Sequence, residues 1–243
     1  MNNNIKWLEA QKHEKYHWEK VARKLSQGAI TQLDWYGWKA NEFEKLLSKL
    51  NINLLSNNPK ILEIGSGPIG IISCLNYGTR YSVDPLEEFY YANSDLIKLR
   101  NDKVCYMKGT GEKLPFDDNS FSIIIIDNVI DHTQDPNVVL KEILRTLNNN
   151  GIIYLSVNVH SSFGAKLHNA MNIFNIDTKH PHTYTPKKIA NVLKTNRFKI
   201  LYENVENYKE IRSKNIKSKK IVVKIKGYLG LSEIIYDAIC MKE

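Results

Sequence analysis

The sequence contains no run of about 18 consecutive apolar residues, and its opening Met-Asn-Asn-Asn-Ile-Lys-Trp lacks the apolar segment of a secretory signal. Neither a membrane span nor export is expected, and a cytoplasmic location is the default. Cysteine is scarce. Cys74, Cys105 and Cys240 form an odd, scattered set with no CxxC pair, which excludes a disulfide framework and a cysteine zinc site. All three read as small buried apolar residues. Internal repeats and low-complexity linkers are also missing. Acidic residues are outnumbered, 26 against 34 Lys and Arg, a balance that points to nucleic acid until it is located along the chain. Residues 187–226 carry net +10, and the remaining 203 residues sum to −2. Asn, Ile and Lys, at 26, 28 and 28 residues, make up a third of the chain, a bias that an A/T-rich coding sequence explains without a basic partner. No nucleic-acid partner is therefore expected.

What is present is a globular composition, 42% hydrophobic and 25% charged over 243 residues, enough for one sizeable core. Residues 1–25 read as a polar helix carrying Trp7, Tyr16, Trp18 and Val21, and residues 34–50 as a second helix with Trp35, Trp38, Phe43, Leu46 and Leu47 at apolar positions. From Lys60 onward, short apolar runs at 61–64, 81–83, 104–107, 121–126 and 152–157 alternate with helical stretches. Such alternation implies βαβ units and a parallel sheet covered on both faces. The β-branched run Ile123-Ile124-Ile125-Ile126 suits a central strand. Asp135-Pro136 starts a helix through Leu147, which Asn149-Asn150-Gly151 ends. Thr185 caps a helix from Pro186 to about Asn196, and 198–202 and 234–241 read as closing strands, with the lysine-rich stretch 209–226 between them outside the core.

Glu63-Ile64-Gly65-Ser66-Gly67-Pro68-Ile69-Gly70 follows a strand and is expected to open a helix, and Asp84 ends the next strand 19 positions after Gly65. Two glycines permit a tight turn and close backbone approach to a ligand, and an acid at the end of strand two accepts hydrogen bonds from ribose hydroxyls. The spacing also satisfies the dinucleotide fingerprint, so NAD is a rival. Against it, Pro68 removes an N–H that a pyrophosphate needs, and Glu63 places a carboxylate where a dianion is unwelcome and a cation welcome.

At this point the chain resembles the class I S-adenosylmethionine (SAM)-dependent methyltransferases, in their small-molecule (Methyltransf_11-like) branch. The resemblance rests on ILEIGSGPIG at 61–70, VDP at 83–85, the block at 109–136 and KEILRTLNNNGIIYLSVN at 141–158. It implies an α/β fold: a Rossmann-like, seven-stranded, mostly parallel sheet with helices on both faces, plus N-terminal helices and an inserted lid. Residues 1–58 would form a helical cap and 59–243 the SAM-binding domain, with 158–186 as lid and acceptor region and 209–231 as a basic insertion before the last strand. By the same resemblance, Gly65, Ser66 and Gly67 line the methionine part of the cofactor, with Glu63 beside them. Asp84 holds the ribose, Pro85 and Leu86 flank the adenine, Gly111 and Glu112 lie at its edge, and Asp127 and Asn128 lie near the methyl donor. Thr110 stands where many relatives have Asp, so the usual acceptor for the adenine amino group is absent.

Methyl transfer to a hydroxyl needs a positioned acceptor and a base. His132, four residues after Asn128, shares its face if that stretch is helical, and His160, two after Asn158, shares a side of an extended strand exit. His182, with His180, sits in the irregular stretch after strand five. No metal site is expected, because no Cys or carboxylate stands at ligand spacing from that pair. The cluster Trp35, Tyr36 and Trp38 has two readings, a cover over the cofactor from the N-terminal helices or core packing at helical spacing; the second is preferred for the two tryptophans, while the Tyr36 hydroxyl is placed to reach the methionine carboxylate. The lysine segment reads as a solvated face, its alternatives being an anionic substrate, weak peripheral contact with an anionic lipid surface, or nucleic acid. The expected reaction is O-methylation of a sugar, a phosphorylated sugar or a surface-glycan precursor in polysaccharide biosynthesis. N- or C-methylation, an RNA or protein acceptor, and a non-catalytic SAM-binding regulator are the alternatives, and oligomeric state is left open.

Overall fold

The computed structural model describes residues 3–52, 58–173 and 181–243. Seven strands form one sheet: β1 (Lys60–Ile64), β2 (Thr79–Asp84), β3 (Val104–Lys108), β4 (Phe121–Asp127), β5 (Leu147–His160), β6 (Phe198–Val205) and β7 (Glu233–Lys242). Their order is β3-β2-β1-β4-β5-β7-β6. The first five are parallel, and β7 inserts antiparallel between β5 and β6. The β-branched run of β4 explains its central place, since alternate side chains must be buried on opposite faces. Ile124 and Ile126 pack with α5 (Pro136–Thr146) and α7 (Pro186–Thr195). Ile123 and Ile125 pack with Phe43 and Leu47 of α2 (Asp34–Lys49).

Caps fall where the residue types place them. Asp135 accepts from the Asn137 N–H at 2.9 Å ahead of α5, and Thr185 from the Lys188 N–H at 3.2 Å ahead of α7. Helix α1 (Asn3–Ser26) buries Trp18 and Ala22 against Tyr90 and Leu96, which belong to α3 (Glu87–Tyr91) and α4 (Ser94–Ile97). After β5 comes α6 (Ser162–Ile173), and the stretch between β6 and β7 folds as a hairpin of α8 (Tyr208–Ile216) and α9 (Ile221–Tyr228).

Several expectations are corrected. The glycine turn leads into a single 3-10 turn at Ile71–Cys74 rather than an α-helix, because Pro68 and the left-handed Gly70 (φ 79°) break helical continuation. Asn149-Asn150-Gly151 lies inside β5 and does not end α5; the helix stops at Thr146, and Leu147 already pairs with Phe121. Asn128 to Thr133 forms turns, with Asn128 at φ 56°, so no helix sets His132 relative to it. Cys74 and Cys105 are exposed, and only Cys240 is buried. Trp35 and Trp38, expected in the core, are about half exposed and pack on each other at 5.0 Å.

Candidate functional site

The carboxyl ends of β1, β2 and β4 meet at the glycine turn. Gly65 and Gly67 take left-handed backbone angles (φ 68° and 62°), and a Cβ on Gly65 would collide with Val129. Asp84, at the end of β2, braces the turn with both oxygens, accepting the Gly67 N–H at 2.9 Å and the Leu86 N–H at 2.8 Å. Burial lifts its carboxyl to about 6. Glu63 is fully enclosed below the turn and accepts the N–H groups of Ile71 (3.1 Å) and Ile72 (2.8 Å), while burial pushes it to about 8. Ser66 Oγ lies 2.6 Å from Ser82 Oγ, tying the glycine turn to β2.

Two cavities share a wall made of Ala10, Glu14, Gly65, Gly67, Asn128 and His132. The first is bordered by Asp84, Pro85, Thr110, Gly111 and Glu112 and roofed by Trp7, Ala10 and Glu14 of α1. The second, about 1040 Å³, opens between α1 and α2 and reaches Tyr36, Glu63, Ser66, Asp127, Ser156 and the exposed Trp35. Leu86 borders neither cavity and contributes its N–H to Asp84. Glu112 spends one oxygen on the Gln134 N–H at 2.7 Å, tying the loop before α5 to the cleft. The Tyr36 hydroxyl donates to the Ser66 carbonyl at 3.3 Å.

The three candidate histidines do not converge. His132 lines both cavities, with an Asp131 oxygen 3.6 Å from its Nε2. His160 is buried and stacks on His168 at 4.8 Å, bordering a small separate cavity that also contains His182. His182 places Nε2 2.9 Å from the Thr133 carbonyl and donates its backbone N–H to Asp131, and burial lowers its pKa. His180 lies outside the described residues. No cluster of three or more His, Cys, Asp or Glu among the described residues is arranged to hold a metal ion.

Lys39 of α2 is a candidate site residue that the sequence pattern alone does not single out. Only 3% exposed, it sits 3.1 Å from an Asp127 oxygen and 3.7 Å from Asp237, and donates to Ser156 Oγ at 2.8 Å. Burial pushes Asp127 up, and the Lys39 ammonium pulls the other way. The sequence carries only a cue: on a helix whose buried side carries Ala40, Phe43 and Leu47, a lysine at position 39 places a charge on an apolar face. Its partners come from β4, β5 and β7 and are visible only once the sheet is assembled.

Residues 62–155 match the family described as "Methyltransferase domain". The chain is 26% identical over 129 residues to an uncharacterized methyltransferase of Schizosaccharomyces pombe, covering 49% of this chain and 45% of that one. It is 30% identical over 102 residues to an uncharacterized methyltransferase of Mycobacteroides abscessus, covering 41% and 39%. The matched segment thus spans less than half of each of these curated relatives. Among solved structures, a geranyl diphosphate methyltransferase in complex with SAM superposes with a TM-score of 0.61 at 13% identity, over 84% of this chain and 85% of that one. That likeness is one of fold. Residues 62–155 are therefore similar to the methyltransferase-domain family, and the chain shares a Rossmann-like fold with the solved geranyl diphosphate methyltransferase.

Proposed function

We propose that this protein is a SAM-dependent methyltransferase acting on a small-molecule acceptor, and that the acceptor is a hydroxyl of a sugar, a phosphorylated sugar or a surface-glycan precursor. The observation that carries the cofactor reading is the fate of the glycine turn. A dinucleotide needs free N–H groups at a helix N-terminus for its pyrophosphate. Here Pro68 has none, a lone 3-10 turn follows, and its Ile71 and Ile72 N–H groups are taken by Glu63. The turn suits a ligand without phosphate. Carboxylates of Glu14 and Asp84 along the two cavities favour a cationic ligand, and SAM meets both conditions.

When bound, SAM supplies an electrophilic methyl group on a sulfonium. The chain's own residues then bind and orient. Each Asp84 oxygen retains a lone pair beyond its backbone bond, which fits it to ribose hydroxyls. Gly65 and Gly67 allow close backbone approach, and Pro85, Thr110, Gly111 and Glu112 border the space beside Asp84. His132, at the wall between the cavities with Asp131 beside its ring, is the side chain placed to take an acceptor hydroxyl proton. The second cavity supports the acceptor reading: it is large enough for a sugar, polar at its floor, and flanked by Trp35, an apolar face for the C–H side of a pyranose.

The test is incubation of the pure protein with methyl-labelled SAM and a panel of sugars, sugar phosphates and nucleotide sugars. Label on a sugar hydroxyl is the expected result. Tight SAM binding with transfer only to amines or carbon acids overturns the acceptor class, and copurification of NAD instead of SAM overturns the cofactor.

A further inference from the structure

Helix α9 turns an apolar stripe toward solvent. Ile221, Val222, Ile225, Tyr228 and Leu229 fall at i, i+1, i+4, i+7 and i+8, one helical face, and all are exposed, Ile221 at 74% and Val222 at 69%. The opposite side is held down. A Cβ on Gly227 would meet the Ile216 backbone, and Arg212 Nε donates to the Gly227 carbonyl at 3.0 Å. Further anchors are Tyr208 donating to the Gly230 carbonyl at 2.9 Å and Asn215 donating to Ser232 Oγ at 3.0 Å. The hairpin is thus fixed to the body through α8, with the α9 stripe left outside. Phe163 of α6, 65% exposed and beside Gly230, extends the apolar surface.

Charge surrounds this stripe. Residues 208–229 contain eight Lys and Arg against a single Glu, net +7. Lys214, Lys217, Lys219, Lys220 and Lys224 are exposed, and among the described residues none of them is held in an ion pair. An exposed apolar stripe rimmed by unpaired lysines is complementary to one kind of surface, an anionic lipid bilayer with an apolar interior just below its charge. A second copy of the chain is a poor occupant, because apposing the same patch would bring +7 against +7. No helix among the described residues is long and apolar enough to cross a membrane, so contact of this kind is peripheral.

We propose that the α8–α9 hairpin is a docking surface for an anionic bilayer. It lies at the carboxyl end of the parallel strands: Glu233, at the start of β7 just beyond α9, pairs with His160 at the carboxyl end of β5. Parallel strands β1, β2 and β4 present the cleft at that same end. A protein docked through α9 therefore holds its cleft toward the membrane side, within reach of an acceptor carried by a lipid. Docking itself does not depend on the cleft transferring methyl groups.

The test is sedimentation of the full chain with vesicles of phosphatidylcholine alone or mixed with phosphatidylglycerol, with SAM affinity measured in parallel. Binding to the mixed vesicles, little to the neutral ones, and weakening with salt are expected. Changing Lys219, Lys220 and Lys224 together to Gln is expected to weaken binding about a hundredfold, a little over fivefold for each charge. Ile221→Ser with Ile225→Ser is expected to abolish binding at unchanged circular dichroism and SAM affinity. Equal binding to both vesicle types, or no binding to either, overturns the proposal. So does a solution dimer that the two serine substitutions dissociate, or retention on RNA in preference to mixed vesicles. Vesicle binding by a protein that fails to bind SAM would leave docking standing and overturn the cofactor reading alone.

Discussion

Lys39 and Asp127 show how one buried pair can hold a site. With 3% and 9% of their side chains exposed, the two charges compensate each other at the floor of the second cavity. Removing one leaves the other uncompensated, so Lys39→Met is expected to cost about 3–5 kcal/mol in denaturant unfolding, while adding Asp127→Asn recovers most of that loss. Asp84 sets a pH dependence. Its folded value of about 6 lies above its ordinary 3.8, so its contribution to stability is full below about 3.8 and is lost as pH rises through 6. Cofactor affinity runs the opposite way, because hydroxyl donors need the ionised carboxylate. Calorimetry is expected to show SAM binding tightening as pH rises through about 6 in the wild type and staying weak and flat in Asp84→Asn. The histidines differ in what their removal is expected to do. His132→Ala is expected to lower kcat by roughly 10²-fold or more at unchanged SAM affinity. His182→Ala, which loses a brace to the Thr133 carbonyl, is expected to cost about 1 kcal/mol of stability with turnover nearly intact.

At the level of single elements, the glycine turn excludes side chains through its neighbours as well as through its backbone. Gly67 stands at φ 62°, and a Cβ there would lie 3.0 Å from the Tyr36 hydroxyl and 3.3 Å from Trp18. Gly67→Ala is therefore expected to lower stability by roughly 1–2 kcal/mol from the left-handed backbone alone, in addition to weakening SAM. A substitution at this position thus tests fold and ligand together. Tyr36→Phe in the same chain removes the near atom and is expected to restore part of the thermal stability; no recovery would show that the backbone angle accounts for the whole loss. The turn is further tied from outside, since Arg100 donates to the Pro68 carbonyl at 2.6 Å and forms a two-pronged pair with Glu87. A bidentate pair of this kind fixes orientation as well as distance.

Across the whole molecule, the cleft is roofed by an element that comes first in the chain. Trp7, Ala10 and Glu14 of α1 border the cavity whose floor is β1 and β2, so the roof and floor are brought together only by tertiary packing of Trp18 and Ala22 on α3 and α4. Deleting residues 1–26 is expected to leave the sheet folded, because its two main buried clusters contain no α1 residue, while reducing SAM affinity several-fold or more. Intact strand circular dichroism with unchanged affinity would show that the roof does not contact the cofactor.

Local sequence was enough to specify the parallel sheet, the place of β4 within it, the glycine turn after β1 and the acid that ends β2. These follow from local periodicity, β-branched runs and turn chemistry, which act between residues close along the chain. It also carried the caps of α5 and α7, each set by one side chain and the N–H two or three residues on. Long-range packing sets which histidine faces the cleft, since Asn128 to Thr133 forms turns whose direction depends on pairing with β5 through the Asn128 N–H and Ser156 carbonyl at 2.7 Å. It likewise decided that Trp35 and Trp38 stay outside while Lys39 goes in. Helical spacing fixes which residues share a face, whereas the direction of that face is set by what packs against it, here the carboxylates of Asp127 at the end of β4 and Asp237 within β7, about 90 and 200 residues away in sequence.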